Sequence, residues 1–310
     1  MKSTEMVDER RIAEASALRR YFQEQWNLLV ELVEARGRTR DELMEEQERL
    51  DDAIESIVTR TDSRMRAVSR YQKRLRGGTR ALLMHIDSLV DELPGSLLIN
   101  KETFLHDPQI STFFSSMEEV SELCNRFYDM HDYLVSPEHL EGELVHFVLF
   151  LRYKEKTVLG SEMQGDILLR EVKQTSVVFS NHQLLAPSMT EDEARQALKQ
   201  ILFDNVVRYM RAHIVGLKQD QQQTVSSILH HSEDLRNPEV YLDRILEYLA
   251  LPKELIRIHE NTIRVNRMGI KLSDKAKGSG EAINLSELEI GEDRPQLLSI
   301  VCVPREIIDI

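Results

Sequence analysis

The sequence predicts an α+β protein that is predominantly helical: an N-terminal helical hairpin or coiled-coil-like arm, then a mixed body with small antiparallel sheets. Three observations carry this expectation. First, Leu43, Leu50, Ile54, Ile57, Val68, Tyr71 and Leu75 recur through the stretch from Thr39 to Arg76 at the spacing of one helix face. Second, that stretch is split in charge. Asp41, Glu42, Glu45, Glu46, Glu48, Asp51, Asp52 and Glu55 stand against Arg49 alone, then Arg60, Arg64, Arg66, Arg70, Lys73, Arg74, Arg76 and Arg80 against Asp62 alone. Third, runs such as Val145 to Tyr153 and Leu297 to Val303 are dense in the β-branched and aromatic residues that suit strands.

In chain order, the arm covers residues 1–95 as three helices with breaks at Gly37 and at Gly77-Gly78. Its first helix, Asp8 to Arg36, has a broad apolar arc that includes Trp26. Thr39 with Glu42 has the form of a capping box opening the long charge-split helix. A third helix, Arg80 to Leu93, stops at Pro94-Gly95. Residues 96–217 read as an α+β domain. In it Asp107-Pro108 and Ser136-Pro137 open short helices, Lys154-Glu155-Lys156 reads as a turn after the Val145 strand, and Asp166 to Phe179 reads as extended. A helix follows from Thr190 to about Val215, with Glu191, Asp192 and Glu193 in its first turn. Residues 218–310 open on a Gln-rich stretch, Lys218 to Gln223, that reads as a connection or a fresh helix start, followed by a helix after Asn237-Pro238. They end in a β-rich segment built from Ile256 to Ile258 and Thr262 to Val265, which flank His259-Glu260-Asn261, then Met268 to Leu272, Ile283 to Ile290 and Leu297 to Val303, with a loop at Asp274 to Gly280.

Composition bounds the function. With 310 residues, 41% hydrophobic and 30% charged, the chain can bury cores without metals or disulfides. A net charge of -13 and a pI near 5.3 oppose a protein that coats nucleic acid over its whole surface, while allowing a local basic patch. Cys124 and Cys302 sit among apolar neighbours, as buried thiols in a reducing compartment would. The N-terminus lacks the apolar core of a signal peptide, and the Leu144 to Leu151 run is far shorter than the ~20 residues of a spanning helix. A cytoplasmic protein with no membrane span is expected.

The motifs exclude more than they suggest. No P-loop, dinucleotide fingerprint, nucleophile elbow, zincin helix or spaced cysteine pair is present. No catalytic residue, metal site or cofactor is assigned. The group His131, His139 and His146, with Asp129, Asp132, Glu138 and Glu143 nearby, lacks the ligand spacing a metal demands, and the adjacent pair His230-His231 would point apart on a helix. Asp166 and His182 share a candidate sheet and supply an orienting carboxylate and a base, which keeps an enzyme of unfamiliar type as an alternative.

The basic segment is the strongest anomaly, because a helix dipole rewards cations only in the last turn and leaves Arg60 and Arg64 unexplained. Arg60, Arg64, Arg66, Arg70, Lys73, Arg74 and Arg76 are the candidate partner-binding residues. Two copies of the long helix, antiparallel about Ile57, would set each acidic block against the other's basic block. The expected function is therefore a non-enzymatic interaction, scaffold or regulatory protein that self-associates as a homo-oligomer, in the form of an antiparallel dimer. An acidic protein partner, or a nucleic-acid-associated role for Arg60 to Arg80, are the other uses of the same charges.

Overall fold

The structure is a computed structural model that describes residues 40–126, 130–136, 139, 142–164, 167–225, 237–266, 269–272 and 280–308. The expected helix Asp8 to Arg36, the Gly37 break and the Thr39 cap lie outside them. So do Asp166, His230-His231 and most of the Asp274 to Gly280 loop.

The long helix expected from Thr39 to Arg76 is two helices, α1 (Arg40–Thr61) and α2 (Tyr71–Asp91), joined through a 3-10 turn at Ser63–Ala67. Local chemistry explains the break. The Asp62 carboxylate accepts the Arg64 backbone N–H at 3.0 Å and the Arg64 guanidinium at 2.7 Å, an arrangement that ends a helix and caps the turn. Met65 is buried, and Arg70 adopts a left-handed backbone with φ 57° before α2 starts. The break expected at Gly77-Gly78 is absent, since α2 runs through both glycines. An interior glycine costs a helix only ~1 kcal/mol, and at Gly78 its lack of a side chain lets Leu249 approach closely.

The chain forms two compact units, neither of them continuous in sequence. One comprises the described residues up to His85 together with Asp204–Leu255. It is helical, built from α1, most of α2, the later part of α7 (Glu191–Val225), α8 (Pro238–Leu249) and α9 (Pro252–Leu255). Helix α7 continues to Val225 where the Gln-rich stretch reads as a connection or a fresh helix start. Leu50, Ile54, Ile57, Leu75, Val206 and Leu242 are among its buried residues.

The other unit is Ile86–Phe203 with Ile256–Ile310. Four short helices, α3 (Lys101–His106), α4 (Pro108–Phe113), α5 (Met117–Asn125) and α6 (Met130–Val135), precede its main strands. Asn100 and Thr103 close a capping box on α3, and Asp107 caps α4 with Pro108 in its first turn. The strands are β1 (Leu97–Leu98), β2 (Leu144–Gln164), β3 (Ile167–Ser188), β4 (Ile256–Val265), β5 (Ile270–Lys271), β6 (Glu281–Ile290) and β7 (Gln296–Pro304).

These strands correct the expected fold class. A predominantly helical protein with a coiled-coil-like arm and small antiparallel sheets gives way to a body made of one seven-stranded mixed sheet, in the order β1-β7-β2-β3-β5-β4-β6. The sheet is mixed because β1 runs parallel to β7. Ser286, Glu287 and Leu288 of β6 also pair with Leu298, Leu297 and Gln296 of β7, so a ring of six strands closes on itself and removes an open edge. Val145, Phe147, Leu149 and Leu151 of β2 join Leu297, Val301 and Val303 of β7 in the apolar core. The alternate residues Val148, Phe150, Leu298 and Ile300 are buried as well, so β7 and the Val145 to Leu151 part of β2 are covered on both faces and read as continuous apolar runs.

Strands β2 and β3 pair along nearly their whole length, through Lys154-Glu155-Lys156, where the sequence suggested a turn. Three register shifts interrupt the ladder, and Glu171, Asn181 and Ala186, each with positive φ, fall at them. Such bulges bend and twist the hairpin. Among the described residues no helix is long and apolar enough to cross a membrane.

Candidate functional site

The charge-split stretch folds back on itself within the helical unit. Glu55 accepts hydrogen bonds from Tyr71 at 2.6 Å and Gln72 at 3.0 Å, and pairs with Arg66 at 3.1 Å. Asp51 pairs with Arg76, and Glu46 with Arg80 at 3.5 Å. Partners fall along α1 as they rise along α2, so the two helices are antiparallel and the acidic block meets the basic block of its own chain. The hydrogen bonds from Tyr71 and then Gln72 hold the Glu55 carboxyl below its ordinary range.

The remaining arginines of the segment reach across the same unit. Arg60 pairs with Asp204 on α7, and Arg74 forks to Glu239 and Asp243 on α8, each at 2.6 Å. Arg64 is held by Asp62, and its guanidinium lies 5.3 Å from the centre of the Tyr241 ring. Of the seven candidate binding residues, Arg60, Arg64, Arg66, Arg74 and Arg76 thus have carboxylate partners in the chain. Arg70 and Lys73 are exposed and make no ion pair among the described residues.

In the middle of the sheet, His182 Nε2 is 2.7 Å from the Phe113 carbonyl oxygen, which ties β3 to α4, and Nδ1 lies 3.4 Å from a Glu119 carboxylate oxygen on α5. The ring also lies against Phe114, with centroids 5.3 Å apart. His139 Nδ1 lies 2.8 Å from both Ser136 Oγ and the Tyr133 carbonyl oxygen. Among the described residues no three His, Cys, Asp or Glu side chains converge as a metal requires. Both cysteines are unpaired and buried, and burial pushes the Cys124 thiol up to about 12, which leaves it without thiolate character at neutral pH.

His146 departs from this pattern of satisfied groups. It faces Ser188 on one side of its ladder and Cys302 on the other, and its Nδ1 is buried without a hydrogen-bond partner. Desolvation lowers its pKa, against the opposing pull of Glu191 and Glu193. The folded ring therefore resists a proton that the unfolded chain accepts near the ordinary histidine value. Its contribution to stability is complete above that value and is lost as pH falls through the lower, folded value. Urea midpoints measured between about pH 7 and pH 5 should decline less steeply in His146→Gln than in the parent. Equal slopes would remove His146 as the source.

The most exposed strand surface is the outer part of the β2–β3 hairpin. Strand β7 accompanies β2 only as far as Leu151, and β5 joins β3 only at Thr175 and Ser176. Beyond those points the two strands pair only with each other among the described residues. The register places Val158, Val172 and Leu169 on one face of this ribbon and Leu159 on the other, with Leu159 69% and Leu169 39% exposed. The sequence signal for the ribbon was the run of extended residues on either side of residues 165–166, obscured by the polar Lys154-Glu155-Lys156.

No family model, curated protein or solved structure matches the chain.

Proposed function

We propose that the protein is a non-catalytic interaction protein that self-associates, and that the contact lies in the outer β2–β3 ribbon instead of the basic helix. The observation that carries this reading is the ribbon's exposed Leu159 and Leu169 on two strands with no other strand beside them among the described residues. A two-stranded ribbon alone is at best marginally stable in water, and its free edges template further pairing. A second copy suits the edge of β2. Antiparallel pairing about a two-fold between residues 155 and 156 sets each Glu155, which also holds Lys271 of its own chain, opposite the other copy's Lys156. A reducing, cytoplasmic setting agrees with the two buried, unpaired thiols.

The basic helix is less suited to the task, because pairing between copies would have to displace Asp51, Glu55, Asp204, Glu239 and Asp243 from arginines they already hold. A nucleic-acid-associated role would fall mainly to Arg70 and Lys73.

Light scattering on the intact chain should give a mass above that of a monomer, and Leu159→Glu with Leu169→Glu should return it to the monomer. Arg70→Glu with Lys73→Glu, which break no ion pair among the described residues, should leave the mass unchanged. A ribbon variant that keeps the parent mass would refute the assignment, as would loss of association in the Arg70 and Lys73 variant.

A further inference from the structure

The seam where the strand ring closes is incomplete, and the gap has the chemistry of a small binding site. Ser286 and Leu298 form the last pair between β6 and β7, after which β7 takes β1 as its neighbour. The edge of β6 at Asn284 has no strand partner on that side among the described residues. A cavity of about 190 Å³ opens at this fork. Its apolar floor consists of Phe113, Leu151, Leu285 and Leu297, all of which belong to the buried core. For scale, an apolar cavity of ~150 Å³ accepts a benzene ring.

The polar part of the lining is specific. Ser286 is only 9% exposed, borders the cavity, and its hydroxyl makes no hydrogen bond among the described residues. A hydroxyl at a cavity wall with no bond of its own can accept a hydrogen bond from a ligand without giving one up. Glu260 faces Ser286 directly across the β4–β6 ladder, and it is the one charged residue in the lining. Neighbouring carboxylates are occupied: Glu287 accepts from Tyr153 and Asn261, and Glu289 pairs with Arg257. Glu260 makes no ion pair among the described residues. The Gln109 side chain completes the rim.

We infer that this fork binds a protonated primary amine carrying one apolar group of about the size of an aromatic ring. The ammonium group sits between Glu260 and Ser286, and the apolar group fills the floor. Anions are excluded by the sign of the only charge present, and the net charge of -13 favours the approach of cations. Two sources share this chemistry, a free arylalkylamine and the N-terminal residue of a peptide. The unpaired Asn284 edge offers the second of these a strand to lie along.

The intact chain is titrated by calorimetry, with amide shifts recorded in parallel, against 2-phenylethylamine, its N-acetyl derivative and phenylalanyl-glycinamide. Both amines should bind and shift the amides of Leu285 and Leu297, while the uncharged N-acetyl compound binds about tenfold or more weaker. Glu260→Gln, at an exposed position, should weaken amine binding by a similar factor and leave the N-acetyl compound unaffected. A dipeptide that binds well above 2-phenylethylamine identifies a peptide N-terminus as the source, and the reverse order identifies a free amine. The inference is overturned if neither amine binds up to about 10 mM, if the N-acetyl compound binds equally well, or if Glu260→Gln changes nothing.

Discussion

Gly78→Ala is expected to destabilise the protein, although alanine is the better helix former by ~1 kcal/mol. A Cβ at residue 78 would lie 2.7 Å from Leu249 Cβ and 3.4 Å from the Leu249 carbonyl oxygen. Neither atom is at the end of a flexible side chain, so α2 and α8 would have to move apart around Leu82, Ile245 and Leu249, all buried. Overpacking of this kind costs ~1–3 kcal/mol, which offsets the propensity gain and leaves a net loss of up to ~2 kcal/mol. Gly216 of α7 is the control, because a Cβ there meets nothing within 4 Å. Gly216→Ala should stabilise by ~0.4–1 kcal/mol. Urea midpoints of the two variants should move in opposite directions, and a Gly78→Ala midpoint at or above the parent would mean that the helix contact is not tight.

Arg195→Met should cost more, ~2–4 kcal/mol, because one largely buried guanidinium donates to several acceptors at once. Its guanidinium donates to the carbonyl oxygens of Val90 at 2.6 Å, Leu93 at 3.1 Å and Pro94 at 3.0 Å, in the last turn of α2 and the chain just past it. It also pairs with Glu191 at 2.8 Å, and Glu191 in turn accepts the Ser96 backbone N–H at 3.1 Å. The Arg195 side chain is only 16% exposed, so water cannot readily replace it. Arg195→Lys keeps the charge but not the planar fork, and should recover less than half of the loss. A cost within the ~0.2–1 kcal/mol of an exposed ion pair would show that these carbonyls find other donors.

Both positions illustrate why part of this protein is readable from its residues and part is not. Helix starts were legible wherever the signal is local: Asp107-Pro108 and Asn237-Pro238 place a capping side chain beside a proline in the first turn. The acidic and basic blocks were equally visible. Their pairing was not, because a mirror-symmetric charge pattern fits a partner helix from another copy as well as its own other half. The choice rested on Asp62 and Arg70, whose cap and left-handed backbone turn the chain over nine residues that keep the helical apolar spacing.

The ribbon was obscured for a different reason. Residues such as Lys154, Lys156 and Thr157 are exposed, so no alternation of apolar and polar residues marks them as a strand, and the polar run reads as a turn. His182 carries the same lesson at the site level. Its partner is the carbonyl oxygen of Phe113, an acceptor every residue possesses, and no residue type announces it.

By itself the sequence determined the helix caps, the charge blocks, the two buried thiols and the apolar runs of β2 and β7, since each depends on neighbours within a few residues. Only the tertiary structure decided that Arg74 meets Asp243, that β6 returns to β7, and that the seam between them leaves Ser286 facing a cavity. Those contacts join residues far apart in the chain, and their energy depends on geometry that no local pattern records.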